Sequence, residues 1–164
     1  YLEMIRLKTA VLLAASLKIG ARLGGASVED AGRLYDFGMH VGVAFQLKDD
    51  LLDVYGNAKV FGKNIGGDIL CNKKTYMLIK ALEHANADQH NQLNSWINAE
   101  TFQPAEKIAA VTELYDRIGV KAVCENKILE YSNRAMESLA AVSIAEEKKE
   151  ELKKIIENLI HREV

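Results

Sequence analysis

Three aspartates and a glutamine crowd one stretch of the chain, Phe45-Gln46-Leu47-Lys48-Asp49-Asp50-Leu51-Leu52-Asp53. On a helix turning about 100° per residue, with Phe37 at zero, Gln46, Asp49, Asp50 and Asp53 fall between roughly 120° and 220°. Phe37, Val41, Ala44, Leu51 and Tyr55 fall within roughly 40° of zero, so an acidic stripe lies opposite an apolar one. Carboxylates one turn apart repel each other. A solvated acidic face would tolerate that, but Val43, Ala44, Phe45, Leu47, Leu51 and Leu52 flank the acids on nearly every side. A helix that apolar is a buried one, and buried carboxylates need cations. Lys48 alone cannot balance three. A hard divalent cation can: Mg²⁺ characteristically takes one or two carboxylates and completes its shell with water and substrate phosphate oxygens. Asp49, Asp50 and Asp53 are therefore the candidate metal ligands, for Mg²⁺ and a phosphorylated substrate.

The segment that follows supplies the opposite charge. Gly56, Gly62, Gly66 and Gly67 sit among Lys59, Lys63 and Asp68, and the pair Lys73-Lys74 is expected to open the next helix. Backbone N–H groups at a helix start, with lysines nearby, suit a diphosphate. No Gly-Lys-Ser or Gly-Lys-Thr occurs, so this is not a Walker loop. Gly38 and Gly42 lie inside the acidic helix, where each glycine costs about 1 kcal/mol. Close approach of a ligand or of another helix would explain that cost.

The elements that must hold these groups read as helix almost throughout. Apolar spacing predicts a helix over Leu2 to Leu23, stopped by Gly24-Gly25, then a long one from an N-cap at Ser27 to about Tyr55. Helical spacing resumes near Asn72. Asp88 and Gln103-Pro104 mark later starts, Gly119 a break or kink, and Ser143 with Glu146 a capping-box pattern. Leu152, Ile155, Ile156, Leu159 and Ile160 form one apolar stripe after it, and the charge run Glu146–Glu151 reads as a solvated face. A single proline in 164 residues favours long helices over a turn-rich β fold. One all-α domain is expected over residues 1–164.

Composition narrows the function classes. With 21 Lys and Arg against 23 Asp and Glu, the net charge is −2. No global field draws such a chain onto nucleic acid or an anionic membrane. Cys71 and Cys124 lie far apart with no metal-type spacing, so reduced thiols and a cytoplasmic location are expected. No apolar run reaches the roughly 18 residues of a membrane span. His40, His84, His90 and His161 show no paired ligand spacing and are given no role.

Gly42-Val-Ala-Phe-Gln-Leu-Lys-Asp-Asp-Leu-Leu-Asp53, then Phe61-Gly-Lys63, Gly66-Gly-Asp-Ile69 and Asn72-Lys73, resembles the second aspartate-rich region of the trans-prenyltransferases, the polyprenyl diphosphate synthases that make farnesyl and geranylgeranyl diphosphates. Upstream, Lys8-Thr9-Ala10 is similar to that family's Lys-Thr pair. The motif match covers residues 8 to 73, and beyond about residue 85 only helical character agrees. The resemblance implies an all-α helical bundle of the isoprenoid synthase type. It also implies a transferase that joins isopentenyl diphosphate to an allylic prenyl diphosphate through a carbocation. By the same resemblance, Asp49, Asp50 and Asp53 would bind Mg²⁺, and Lys8, Lys63 and Lys73 the allylic diphosphate. Thr9 and Gln46 would stabilise positive charge at the reacting carbons, and Phe45 would pack near the isopentenyl substrate.

One departure bears on activity. The family carries two aspartate-rich motifs on facing helices, whereas this chain carries one Asp-Asp-x-x-Asp. The 164 residues resemble the C-terminal half of a longer enzyme, inactive alone and expected to associate with copies of itself. A class I terpene cyclase would share the ionisation chemistry but carry a downstream Asn/Ser/Glu triad, which is not seen. A truncated non-catalytic subunit is the alternative from another class.

Overall fold

The computed structural model describes residues 1–56 and 65–161, among which every regular element is helical. They group into two compact units, Tyr1–Lys48 with the described residues from Lys127 onward, and Asp49–Asn126.

The first unit opens with α1, Leu2–Ile5, and α2, Val11–Leu23. Between them Arg6–Ala10 forms a turn of π-helix, so the single helix expected over residues 2–23 carries one widened turn at Lys8 and Thr9. Such bulges insert one residue into the ladder and recur at functional sites. The long helix α3, Val28–Tyr55, begins as expected, with Ser27 Oγ accepting the Asp30 N–H at 3.0 Å. Phe37 and Val41 of α3 are buried against Ala135 and Leu139 of α8 (Val120–Ala140) and Ile156 of α9 (Glu150–His161), with Leu17, Leu34, Met136 and Leu152 packed around them.

The last helix departs from its sequence signature. The capping box does not form: the Ser143 N–H donates to Asp30, its hydroxyl accepts from Arg33, and α9 starts at Glu150 after a short 3-10 turn. Tertiary partners outcompete the local cap. The charge run is solvated except at Lys149, which is buried and donates to the Ala140 carbonyl and to Glu146.

In the second unit, α4 (Gly67–Leu70), α5 (Tyr76–His84) and α6 (Ala87–Asn98) all pack on α7 (Pro104–Ile118). The helix expected from Asn72 starts later. Thr75 is in an extended conformation and its hydroxyl caps Leu78, so Lys73-Lys74 precede α5 instead of opening it. α6 is entered through a full capping box between Asn86 and Gln89, not at Asp88. Proline sits in the first turn of α7 as expected, and Gly119 ends that helix at φ 83°.

Tyr115 of α7 is buried in this unit, and burial followed by the charge of Asp68 holds its phenol above the ordinary 10.0. The unfolded chain therefore releases this proton first as pH rises. The stability contribution is intact below pH 10.0 and is lost as pH climbs through the folded value. Urea unfolding midpoints should fall above pH 10.0, and more steeply in the native chain than in Tyr115→Phe. Equal slopes would show that Tyr115 is not a source of alkaline lability.

Candidate functional site

The sequence-predicted residues fall into two groups, one in each unit. In the first unit the Thr9 hydroxyl donates to Gln46 Oε1 at 3.0 Å, with both side chains partly buried. Thr9 lies on the π turn, and Gly42 lets the backbone of the neighbouring Ala10 close on α3. A Cβ at Gly42 would stand 2.6 Å from Ala10 Cα, and one at Gly38 would stand 2.7 Å from Ala14 Cα. The helical glycines thus serve helix contact, one of the two causes expected for them. Lys8, on the same π turn, is exposed. Phe45 is 41% exposed and lines a groove of about 380 Å³ with Val41, Ile155, Asn158 and Leu159.

The second unit gathers acids around one lysine. Lys73 Nζ donates to Asp50 Oδ1 at 3.0 Å and to Asp68 Oδ2 at 2.8 Å. Asp50 is only 4% exposed, whereas Lys73 is 44% exposed at the side chain. Burial alone would lower the Lys73 ammonium pKa, but its hydrogen bonds to Asp68 and Asp50 outweigh that and hold it above the usual lysine range. Asp53 Oδ2 accepts the Asp68 N–H at 2.9 Å, and the Asp53 carbonyl accepts the Gly66 N–H at 2.6 Å. The Asp53 carboxyl is raised by burial, against the Asp68 backbone bond that lowers it, with Asp68 and Asp49 adding like charge. Asp49 is partly exposed. Gly66 bends the chain at φ 84°, and Gly67 brings its backbone to 3.4 Å, measured from a would-be Cβ, from Asp53 Oδ1. Lys63 lies outside the described residues.

Sequence reasoning gave Lys73 a phosphate role and overlooked that it is the counter-ion of the acidic helix. It also gave Asp68 no role. The available signal was the acid directly after Gly66-Gly67, whose N–H reaches Asp53 of α3 while its carboxylate accepts from Lys73.

Among the described residues no three His, Cys, Asp or Glu side chains converge tightly enough to hold a metal by themselves. The donor chemistry nevertheless suits Mg²⁺. Asp49, Asp50, Asp53 and Asp68 bring four carboxylates to this part of the second unit, two of them on the Lys73 ammonium, all donors are hard oxygens, and Mg²⁺ needs only one or two of them from protein.

The model of the polyprenyl synthetase family matches residues 1–115. Over 163 residues, 99% of this chain, it is 34% identical to a short chain isoprenyl diphosphate synthase of Methanothermobacter thermautotrophicus, of which it covers 49%. It is 32% identical over 163 residues, again 99% of the chain, to a geranylfarnesyl diphosphate synthase of Aeropyrum pernix, covering 50% of it. Among solved structures, a geranylgeranyl pyrophosphate synthase superposes with a TM-score of 0.91 at 35% identity, over 99% of this chain and 50% of that one. A polyprenyl synthase from Caulobacter crescentus CB15, complexed with calcium and isoprenyl diphosphate, superposes at 0.89 with 30% identity, over 100% of this chain and 49% of that one.

The fold is thus the all-α fold of the isoprenyl diphosphate synthases. The chain belongs to the polyprenyl synthetase family. It spans about half the length of the curated relatives it matches. The likeness runs along the whole chain and is not confined to residues 8–73, and the description as a C-terminal half gives way to that plainer statement.

Proposed function

We propose that this chain supplies the allylic-diphosphate side of a prenyltransferase that condenses isopentenyl diphosphate with an allylic prenyl diphosphate. The observation that carries the reading is the cluster of Asp50, Asp53 and Asp68 around Lys73, within a chain of the polyprenyl synthetase family. Asp49, Asp50 and Asp53 would hold Mg²⁺, which when bound supplies Lewis-acid charge to the departing diphosphate. An ammonium has three donors, and Lys73 uses two on Asp50 and Asp68. Its third N–H can donate to a diphosphate oxygen while the side chain stays anchored. Lys8, which is exposed, and Lys63 would add positive charge toward the leaving group.

Cleavage of the allylic C–O bond leaves a carbocation and diphosphate. The Gln46 carboxamide oxygen and the Thr9 hydroxyl oxygen are the lone pairs offered to that positive charge. The hydrogen bond from Thr9 to Gln46 orients both. Attack by the isopentenyl double bond, with Phe45 alongside, then forms the new C–C bond. Loss of a proton to the diphosphate restores neutrality. The match to the polyprenyl synthetase family favours this reading over a terpene cyclase.

No helix among the described residues is long and apolar enough to cross a membrane. A cytoplasmic enzyme of isoprenoid biosynthesis is the compartment and role proposed. Self-association is part of the reading too. Leu12, Ile19 and Leu23 stand exposed within about 20° of one line along α2, and Leu7 stands exposed on the turn before it. Contiguous apolar surface of that kind marks an interface.

Calorimetry with Mg²⁺ and inorganic pyrophosphate tests the metal assignment. Binding should be weak for Mg²⁺ alone and strengthened when pyrophosphate is present, since the ion recruits phosphate oxygens to its shell. Asp49→Asn should weaken the Mg²⁺-dependent binding by about tenfold or more, the scale of one charged-group interaction. Unchanged binding in that variant would remove Asp49 from the ligand set.

A further inference from the structure

Among the described residues of the second unit Lys107 is the most deeply buried charged side chain, 1% exposed, and neither the motif region nor the chemistry above gives it a task. It projects from the first turn of α7. Its ammonium donates to Asn72 Oδ1 at 2.7 Å and sits 4.2 Å from the centre of the Phe102 ring. Burial pushes that ammonium below the usual lysine range, so its place is one of cost. A buried charge is costly unless it is paired and hydrogen-bonded, so the partners of Lys107 are informative.

What it fixes is a strained turn. Asn72 is the one non-glycine residue with positive φ among the described residues, at 53°. Asparagine tolerates this region better than most residues, but it still has to be held there. Both ends of its carboxamide are engaged: the oxygen by Lys107, and the nitrogen as donor to the Ile97 carbonyl at 2.9 Å. The backbone on either side is tied as well, with Asn72 N–H to Ile69 carbonyl at 3.2 Å and Lys73 N–H to Asp68 carbonyl at 2.9 Å. The residue directly after this turn is Lys73, whose ammonium reaches Asp50 and Asp68. A different φ at Asn72 would swing Lys73 away from both.

We propose that Lys107 is a positioning residue for Lys73: by clamping the Asn72 carboxamide it holds the left-handed turn that aims the Lys73 ammonium at Asp50 and Asp68. The geometry stands on its own, and its consequence for diphosphate binding rests on the function proposed above. Phe102 belongs to the same device, since its ring face compensates a charge that would otherwise be buried beside a neutral amide alone.

The test reads Lys73 directly. Trace acetylation followed by peptide mass spectrometry gives the labelling rate of each lysine, and the adjacent exposed Lys74 is the internal standard. In Lys107→Met, which keeps the length and loses the charge, Lys73 should label about tenfold faster relative to Lys74, the factor for losing one hydrogen bond to a charged group. Lys80 and Lys127, held by their own glutamates Glu83 and Glu130, should label at unchanged rates. Asn72→Gly removes the carboxamide while accepting the positive φ, and it should raise Lys73 labelling similarly. The double variant should exceed neither single one, because both cut the same link.

A Lys73 rate unchanged against Lys74 in a folded Lys107→Met overturns the proposal. If Lys107→Met does not fold, Asn72→Gly decides alone, and an unchanged Lys73 rate there overturns it equally. Additive effects in the double variant also count against it. Pyrophosphate binding with Mg²⁺ is measured in parallel. Faster Lys73 labelling with no pyrophosphate binding even in the native chain leaves the positioning role standing and removes the diphosphate reading instead.

Discussion

Incubated with Mg²⁺, isopentenyl diphosphate and an allylic diphosphate, the pure 164-residue chain is expected to form no elongated prenyl diphosphate. Ionising an allylic diphosphate places negative charge on the leaving group faster than solvent can reorganise, so preorganised cations must already be there. On the proposed reading two aspartate-rich motifs share that task, and this chain carries one Asp-Asp-x-x-Asp. Losing one preorganised donor typically costs about 10²–10³ in rate, and a whole metal-binding motif counts for more than one donor. Each further 1.36 kcal/mol is roughly another factor of ten.

The cation faces a second loss. Thr9 and Gln46 are only partly buried, and Leu12 and Leu23 of α2 are 75% and 84% exposed. Water admitted at such a site captures a carbocation before an alkene does. Organic extraction and chromatography should therefore show starting diphosphates and at most hydrolysed alcohol. Supplying the half of a homologous synthase that this chain does not span should restore product, because the chain covers about half of its relatives. An elongated product from the pure chain would sink this expectation and mean that copies of the chain complete one another's catalytic set.

What the sequence revealed and what it hid follow from the range of the forces involved. α3 was legible because its signals are local: a 3.6-residue apolar period, a serine cap at Ser27, and acids on one face. The catalytic candidates Thr9 and Gln46, 37 residues apart, came from the resemblance, and the structure brings them into one hydrogen bond. The π turn at Arg6–Ala10 stayed hidden, since one extra residue in a turn leaves the apolar period nearly intact. Ser143 and Glu146 spelled a cap that Asp30 and Arg33 overrode from 113 and 110 residues away. Lys107 sits in a pattern that reads as a wet helix start, and only the chain fold shows Asn72 and Phe102 beneath it. Local periodicity is written in the sequence, whereas the identity of a tertiary counter-ion is not.

The glycines of α3 allow that distinction to be measured, because three of them share one helix and differ in what lies opposite. By propensity alone every Gly→Ala change inside a helix gains about 1 kcal/mol. Gly32 has nothing within 4 Å of a would-be Cβ, so Gly32→Ala should realise that gain and raise the urea midpoint. At Gly42 the new Cβ would stand 2.6 Å from both Cα and Cβ of Ala10, far inside the carbon contact distance of about 3.5–4.0 Å. Backbone cannot turn aside as a flexible side chain can, so the helices must separate, and overpacking of this kind costs about 1–3 kcal/mol. The packing cost exceeds the propensity gain, and Gly42→Ala should be net destabilising by up to about 2 kcal/mol. Gly42→Val adds two methyl groups at the same contact and should lose more, leaving the first unit partly unfolded at ambient temperature. Ala10 follows Thr9 directly, so the same displacement should lengthen the 3.0 Å bond to Gln46. In the full enzyme of a homologue, the corresponding alanine should lower kcat more than it raises KM for the allylic substrate, since charge stabilisation at the reacting carbon is lost while diphosphate binding is kept. A Gly42→Ala chain as stable as Gly32→Ala would show that the π turn before α2 does not approach α3 as closely as the Gly42–Ala10 contact requires.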